Sequence, residues 1–221
     1  MKKLLAIMAG VALIGGMAQA DLLVQFTFTQ DDPDEFTADF VADNLSASAF
    51  NTSDDDIVPQ AFGTWGGSGT PYAGSIGGWG EESFAESKHF FFDIEADSGW
   101  VFDITDVVFR YGLTQAGPSE GALGISTEAG TTGAMVPGSQ ADIDAASTQA
   151  DLEAWMPNPD YSAYTGLDES RVSIHGWDGG TGHFRLNDVE VYGTVVPEPG
   201  TMALLVLGMV GIAAARRKML A

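Results

Sequence analysis

Between residues 21 and 195 the apolar side chains recur at every second position in short runs, and none keeps a period of 3.6 for long. Side chains alternate across a strand, so this period admits strands and bars long amphipathic helices. Val24, Phe26 and Phe28 alternate with Gln25 and Thr27, while Phe90, Phe92 and Ile94 alternate with Phe91, Asp93 and Glu95. Ala122 to Thr127, Arg171 to Gly176 and Phe184 to Val195 complete the set, bounded by Gly, Asp, Ser and Pro clusters. The chain is long enough, and apolar enough at 45%, to bury a core between two such layers.

The expectation is therefore an all-β chain with a single antiparallel β-sandwich, jelly-roll-like in its strand spacing. Two segments add a detail. From 100 to 111, Phe102 and Ile104 are in one phase while Val107, Phe109 and Tyr111 are in the other, with Thr105 and Asp106 at the switch. From 184 to 195, Phe184 and Leu186 give way to Val189, Val191 and Val195 across Asn187 and Asp188. A strand buries both sets on one face only if a residue is inserted, which predicts a bulge or bend near Asp106 and another near Asp188. Residues 54–80, rich in Gly, read as a long loop with some strand. The loose spacing of Ile143, Ala146, Ala150 and Trp155 predicts a short surface helix over 140–156.

Both ends are built differently. Lys2 and Lys3 precede an apolar stretch from Leu4 to Gly16, and Met17-Ala18-Gln19-Ala20 supplies the small residues that signal peptidase cuts after. Residues 1–20 read as a secretory signal peptide, leaving 21–195 as the β-sandwich domain. In 196–221, Pro197-Glu198-Pro199 precedes an apolar run from Met202 to Ala215 and the basic stop Arg216-Arg217-Lys218. The prolines bar a helix from running upstream, so one starts near Thr201. At 1.5 Å per residue it reaches Arg217 after about 25 Å, short of a hydrocarbon core of about 30 Å by a gap that snorkelling cations close. A transmembrane helix with the cations on the cytoplasmic side leaves the body outside.

The charge then excludes whole classes of partner. Of nine Lys and Arg residues only Lys88, Arg110, Arg171 and Arg185 belong to the body, against all of the 31 acids but Glu198. Nucleic acid is ruled out as a partner, because displacing counterions from phosphates needs clustered cations. With no cysteine, disulfides, thiolate zinc sites and cysteine nucleophiles are excluded as well.

Pro197-Glu198-Pro199, the Leu- and Gly-rich run and Arg216-Arg217-Lys218 together resemble the PEP-CTERM sorting signal of Gram-negative bacteria. The resemblance covers about 26 of the 221 residues. It implies a tail that anchors the chain in the inner membrane in transit and is cut near Pro197-Glu198-Pro199 by an exosortase, a membrane transpeptidase. The body would then reach the cell surface or the extracellular, exopolysaccharide-rich biofilm matrix. A second resemblance rests on FDITDVVFRY at 102–111 and FRLNDVEVYGTV at 184–195, which are similar to β-sandwich bodies found ahead of such tails and to carbohydrate-binding jelly rolls. That likeness implies a structural calcium ion held by an acid at the last strand, Asp188, and one near the N-terminus, Asp31 or Asp34.

Catalytic patterns are sparse. No G-x-S-x-G elbow occurs, and His89, His175 and His183 lack H-E-x-x-H spacing. His89 beside a phenylalanine run reads as a strand-face residue, and His175 and His183 flank a glycine-rich turn across which they approach. Thirty body acids guarantee carboxylate pairs at glycosidase spacing by chance, so pairs such as Glu81 and Glu82 carry little weight. No residue is assigned a catalytic role. Neutral sugar rings pack on flat aromatic faces beside polar groups, and Trp65, Trp79 and Trp177 sit among Gly and Asp at expected loops. They are the glycan-binding candidates for a polysaccharide ligand. The reading is a non-catalytic exported protein that acts as a glycan binder, with a secreted glycan-active hydrolase and a purely structural matrix component as alternatives.

Overall fold

The computed structural model describes residues 20–28, 36–53, 60–61, 73–76, 79–113, 116–143, 153–154, 157–200, 207–209 and 212. Among the described residues fourteen strands follow in chain order: β1 (Asp21–Phe26), β2 (Phe40–Val41), β3 (Leu45–Ala47), β4 (Asn51–Thr52), β5 (Gln60–Ala61), β6 (Ala73–Ile76) and β7 (Lys88–Ala96). Then come β8 (Trp100–Leu113), β9 (Glu120–Ser126), β10 (Ala134–Met135), β11 (Ala141–Asp142), β12 (Glu153–Ala154), β13 (Glu169–Trp177) and β14 (His183–Pro197). They form two seven-stranded sheets. The first runs β12-β8-β14-β1-β2, with β6 on β14 and β5 on β6; the second runs β10-β9-β13-β7-β3, with β11 on β9 and β4 on β7.

Every one of these ladders is antiparallel. The alternation seen in the sequence is the alternation of burial. Phe90, Phe92 and Ile94 of β7 and Val172 and Ile174 of β13 meet Phe26, Phe102, Phe109, Phe184 and Val191 from the other sheet in one continuous core. Phe26 and Phe92 bring the two sheets together with ring centroids 4.8 Å apart.

Both expected bulges occur, and they occur in the same β8–β14 ladder. Asn187 pairs with Arg110 and Glu190 with Val108, so Asp188 and Val189 face Phe109 alone. Asp188 takes φ 47°, and the strand re-enters with Val189 and Val191 buried. In β8, Ile104 pairs with Gly193 and Asp106 with Tyr192, which leaves Thr105 as the extra residue. The amide beyond this kink, on Val107, donates to the Tyr161 hydroxyl at 3.1 Å. A third bulge, not evident from the pattern, puts Leu23 between Leu22, opposite Tyr192, and Val24, opposite Val191.

The helix expected over 140–156 is corrected at both described ends. Residues 141–142 and 153–154 are short strands, because sheet edges at β9 and β8 offer them hydrogen-bond partners. Residues 144–152 lie outside the described residues. No described helix is long and apolar enough to cross a membrane; residues 1–19, of the stretch expected to be a signal peptide, and most of 201–221 lie outside the described set. Pro199–Gly200, 207–209 and Ile212 are helical, with Leu207, Met209 and Ile212 exposed.

Candidate functional site

At one end of the sandwich the β7–β8 turn, the start of β13 and the end of β14 surround a cleft of about 290 Å³. It is lined by the acidic residues Glu95, Asp97, Asp168, Glu169 and Glu198 together with Trp100. The turn closes by the Trp100 amide donating to the Asp97 carbonyl at 3.0 Å, and Gly99 supplies the φ of 86° that a side chain would strain. The Ala96 amide donates to the Asp168 carbonyl at 2.8 Å, tying the turn to the entry of β13. Glu198 arrives from β14 and donates its amide to the Gly99 carbonyl at 2.9 Å. Five carboxylates on one rim create a negative potential that turns anionic polymers away and favours neutral or cationic groups. A half-buried indole among acceptor groups has the chemistry to hold a neutral sugar, through its flat face and through hydroxyl donors to carboxylates.

The outward face of the second sheet holds the other concentration of polar side chains. His89 and His175 are paired in register, with ring centroids 4.3 Å apart and planes 23° from parallel. The Ser87 hydroxyl donates to the Phe84 carbonyl at 2.6 Å, so at 2.7 Å from His175 it accepts from Nδ1–H. On the other side of the ring Nε2 lies 2.9 Å from the Ser173 hydroxyl oxygen, which also lies 3.1 Å from the Gly124 carbonyl. The Phe84 ring covers His175 at 4.0 Å between centroids. Burial, reinforced by His89, drives the His175 pKa down to about 2, and burial also lowers that of His89. A neutral imidazole with both nitrogens occupied holds the strands together; the proton of Ser87 is already given to a backbone carbonyl. Four pairs along the same ladder, Arg171 donates to both oxygens of Asp93 at 2.8 Å and lies over Phe91, 3.9 Å from the ring centroid.

His89 thus lies on the strand face opposite the core, as its place in the sequence suggested. The approach of His175 to His183 is corrected. The glycine-rich stretch between them crosses from one sheet to the other, and His175 pairs with His89 instead. Among the described residues no group of three His, Asp or Glu side chains converges as a metal site.

Two of the tryptophans expected at exposed loops are enclosed, which corrects their reading as open platforms. Trp79 is 0% exposed, packs edge-on against Phe184 with centroids 5.4 Å apart, and donates Nε1–H to the Gly182 carbonyl at 3.1 Å. Trp177 is 5% exposed. Glycine-rich flanks signalled close backbone approach around these rings. Trp65, Asp31, Asp34, Arg216, Arg217 and Lys218 lie outside the described residues. Asp188 stands at the β14 bulge, its pKa raised by burial against the lowering effect of Arg110. Trp100 went unmarked in the sequence because it opens a strand rather than a loop.

No curated protein matches the chain. Among solved structures it is similar to the K2 cleaved adhesin domain of Lys-gingipain, at 11% identity over 78% of this chain and 99% of that one, TM-score 0.39. It is also similar to TmCBM61 in complex with β-1,4-galactotriose, at 13% identity over 78% and 99%, TM-score 0.34. The mannan-recognising carbohydrate-binding module TmCBM27 gives 12% identity over 80% and 99%, TM-score 0.38. Residues 195–218 match the PEP-CTERM protein-sorting motif. The chain carries that motif, and the motif begins inside the last strand of an all-β body.

Proposed function

We propose that this is an exported protein whose signal peptide is removed by signal peptidase, whose tail anchors it in the inner membrane in transit, and whose Pro197-Glu198-Pro199 element is the substrate of an exosortase. The body then acts without catalysis at the cell surface or in the extracellular matrix. The observation that carries this reading is the sorting motif at 195–218, continuous with β14. Its test is the fate of the tail in a host lacking the exosortase. The intact tail is expected to persist there, and unchanged processing overturns the reading.

Within this role, and among the described tryptophans, contact with neutral glycans is assigned to the cleft at Trp100, since Trp79 and Trp177 are buried and Trp100 is partly open; Trp65 is a second candidate. Affinity electrophoresis against a panel of neutral polysaccharides is expected to show retardation that Trp100→Ala removes. Retardation unaffected by that change would exclude the cleft as the binding face.

A further inference from the structure

The sorting motif is not hung from the body on a free linker. Beyond the last bulge, β14 stays in register with β8 through Val195 opposite Phe102, Val196 opposite Val101 and Pro197 opposite Trp100. One residue further the Glu198 amide bonds to the Gly99 carbonyl at 2.9 Å. That bond makes Glu198 and Gly99 a hydrogen-bonded position, so Pro197 falls at the intervening position, where an antiparallel ladder asks nothing of its missing N–H toward β8. The first two residues of the Pro-Glu-Pro element are therefore held against the β7–β8 turn, and Gly99, at φ 86°, holds that turn in shape.

An enzyme that cuts a peptide bond must surround an extended segment and supply its own hydrogen bonds to the backbone, which a strand still paired in its sheet cannot accept on both sides. We propose that the end of the β8–β14 ladder is a latch on the sorting motif. The Val196–Glu198 backbone becomes available to the processing enzyme only when these last pairs open, so processing follows the local opening of the strand end and not global unfolding. This rests on the exosortase reading and adds to it a control exerted by the folded body.

The chain has no cysteine, so a disulfide engineered across Val101 and Val196 is unambiguous, and directly paired strand residues lie within disulfide reach. The full-length V101C/V196C chain is pulse-labelled in an exosortase-bearing host beside the wild type and both single-cysteine variants. With the bond formed, the processed fraction is expected to fall to about a tenth or less of wild type and to recover under reductant. A second variant, Gly99→Val, strains the turn and is expected to speed processing several-fold, about threefold or more. In the purified full chain the Glu198 amide is expected to be protected from hydrogen exchange, and less so in Gly99→Val. Processing of the oxidised double-cysteine chain at the wild-type rate overturns the latch, as does a Glu198 amide exchanging like that of a free peptide. A wild type left unprocessed overturns the exosortase reading instead, whatever the exchange shows.

Discussion

The imidazoles of His89 and His175 stack with centroids 4.3 Å apart on paired strands, and burial holds both neutral where exposed histidines would titrate. The pair couples strand pairing to pH. An unfolded histidine takes up a proton below about 6.5, whereas these refuse it in the folded chain, so the unfolded state binds more protons and stability falls as pH falls.

The effect is fully absent above that value and grows as pH drops from about 6.5 toward the folded pKa, with a limiting slope of about 1.4 kcal/mol per pH unit per histidine. Melting temperature is expected to decline between pH 7 and pH 5.5, and His175→Gln, though less stable at pH 7, is expected to flatten that decline. Equal slopes in the two proteins would remove His175 from the account.

Gly193 lies where bulges on both neighbouring strands converge, at Leu23 and at Thr105. A Cβ there would run into the Asp103 carbonyl oxygen and come within 2.8 Å of Leu23 Cδ1. Backbone cannot yield as a flexible side chain does, so Gly193→Ala is expected to cost about 1–3 kcal/mol. Urea unfolding should show a lower midpoint at unchanged slope.

Trp79 and Trp100 separate core from cleft. Trp79→Ala empties a fully buried site and strands the Gly182 carbonyl, an expected loss of about 3–5 kcal/mol. Trp100→Ala, from a partly open position, is expected to cost clearly less. Denaturant melts of the two variants side by side provide the check.

The Arg171 fork on Asp93 and the stacking of its guanidinium on Phe91 use planarity that lysine lacks. The hydrogen bonds from Arg171 are the first cause holding the Asp93 pKa below its ordinary value, so the pair contributes stability above about pH 4 that is lost as pH falls through the folded value. Arg171→Lys is expected to raise the Asp93 pKa toward that of a free aspartate, read by carboxyl NMR titration. No change would show that the fork is not what lowers it.

Period-two alternation and its two phase breaks were enough to read the long strands β1, β7, β8, β9, β13 and β14, the all-β class and the bulges at Thr105 and Asp188, because burying one face is a local demand that each of these strands meets in its own residues; the short edge strands were not legible in this way. The sorting motif was legible for a related reason: Pro-Glu-Pro, the apolar run and the basic stop are read as linear chemistry. Other features depend on who the neighbour is. The sequence around Trp79 and Trp177 announces turns, but their burial comes from segments such as Gly182, 103 positions from Trp79. The same holds for His89 against His175, for Leu23 as an extra residue, and for the Glu198 amide meeting Gly99 beside Trp100. Residue type and spacing decide which face of a strand is apolar; which strand lies alongside, and in what register, is settled only when both sheets close on their common core.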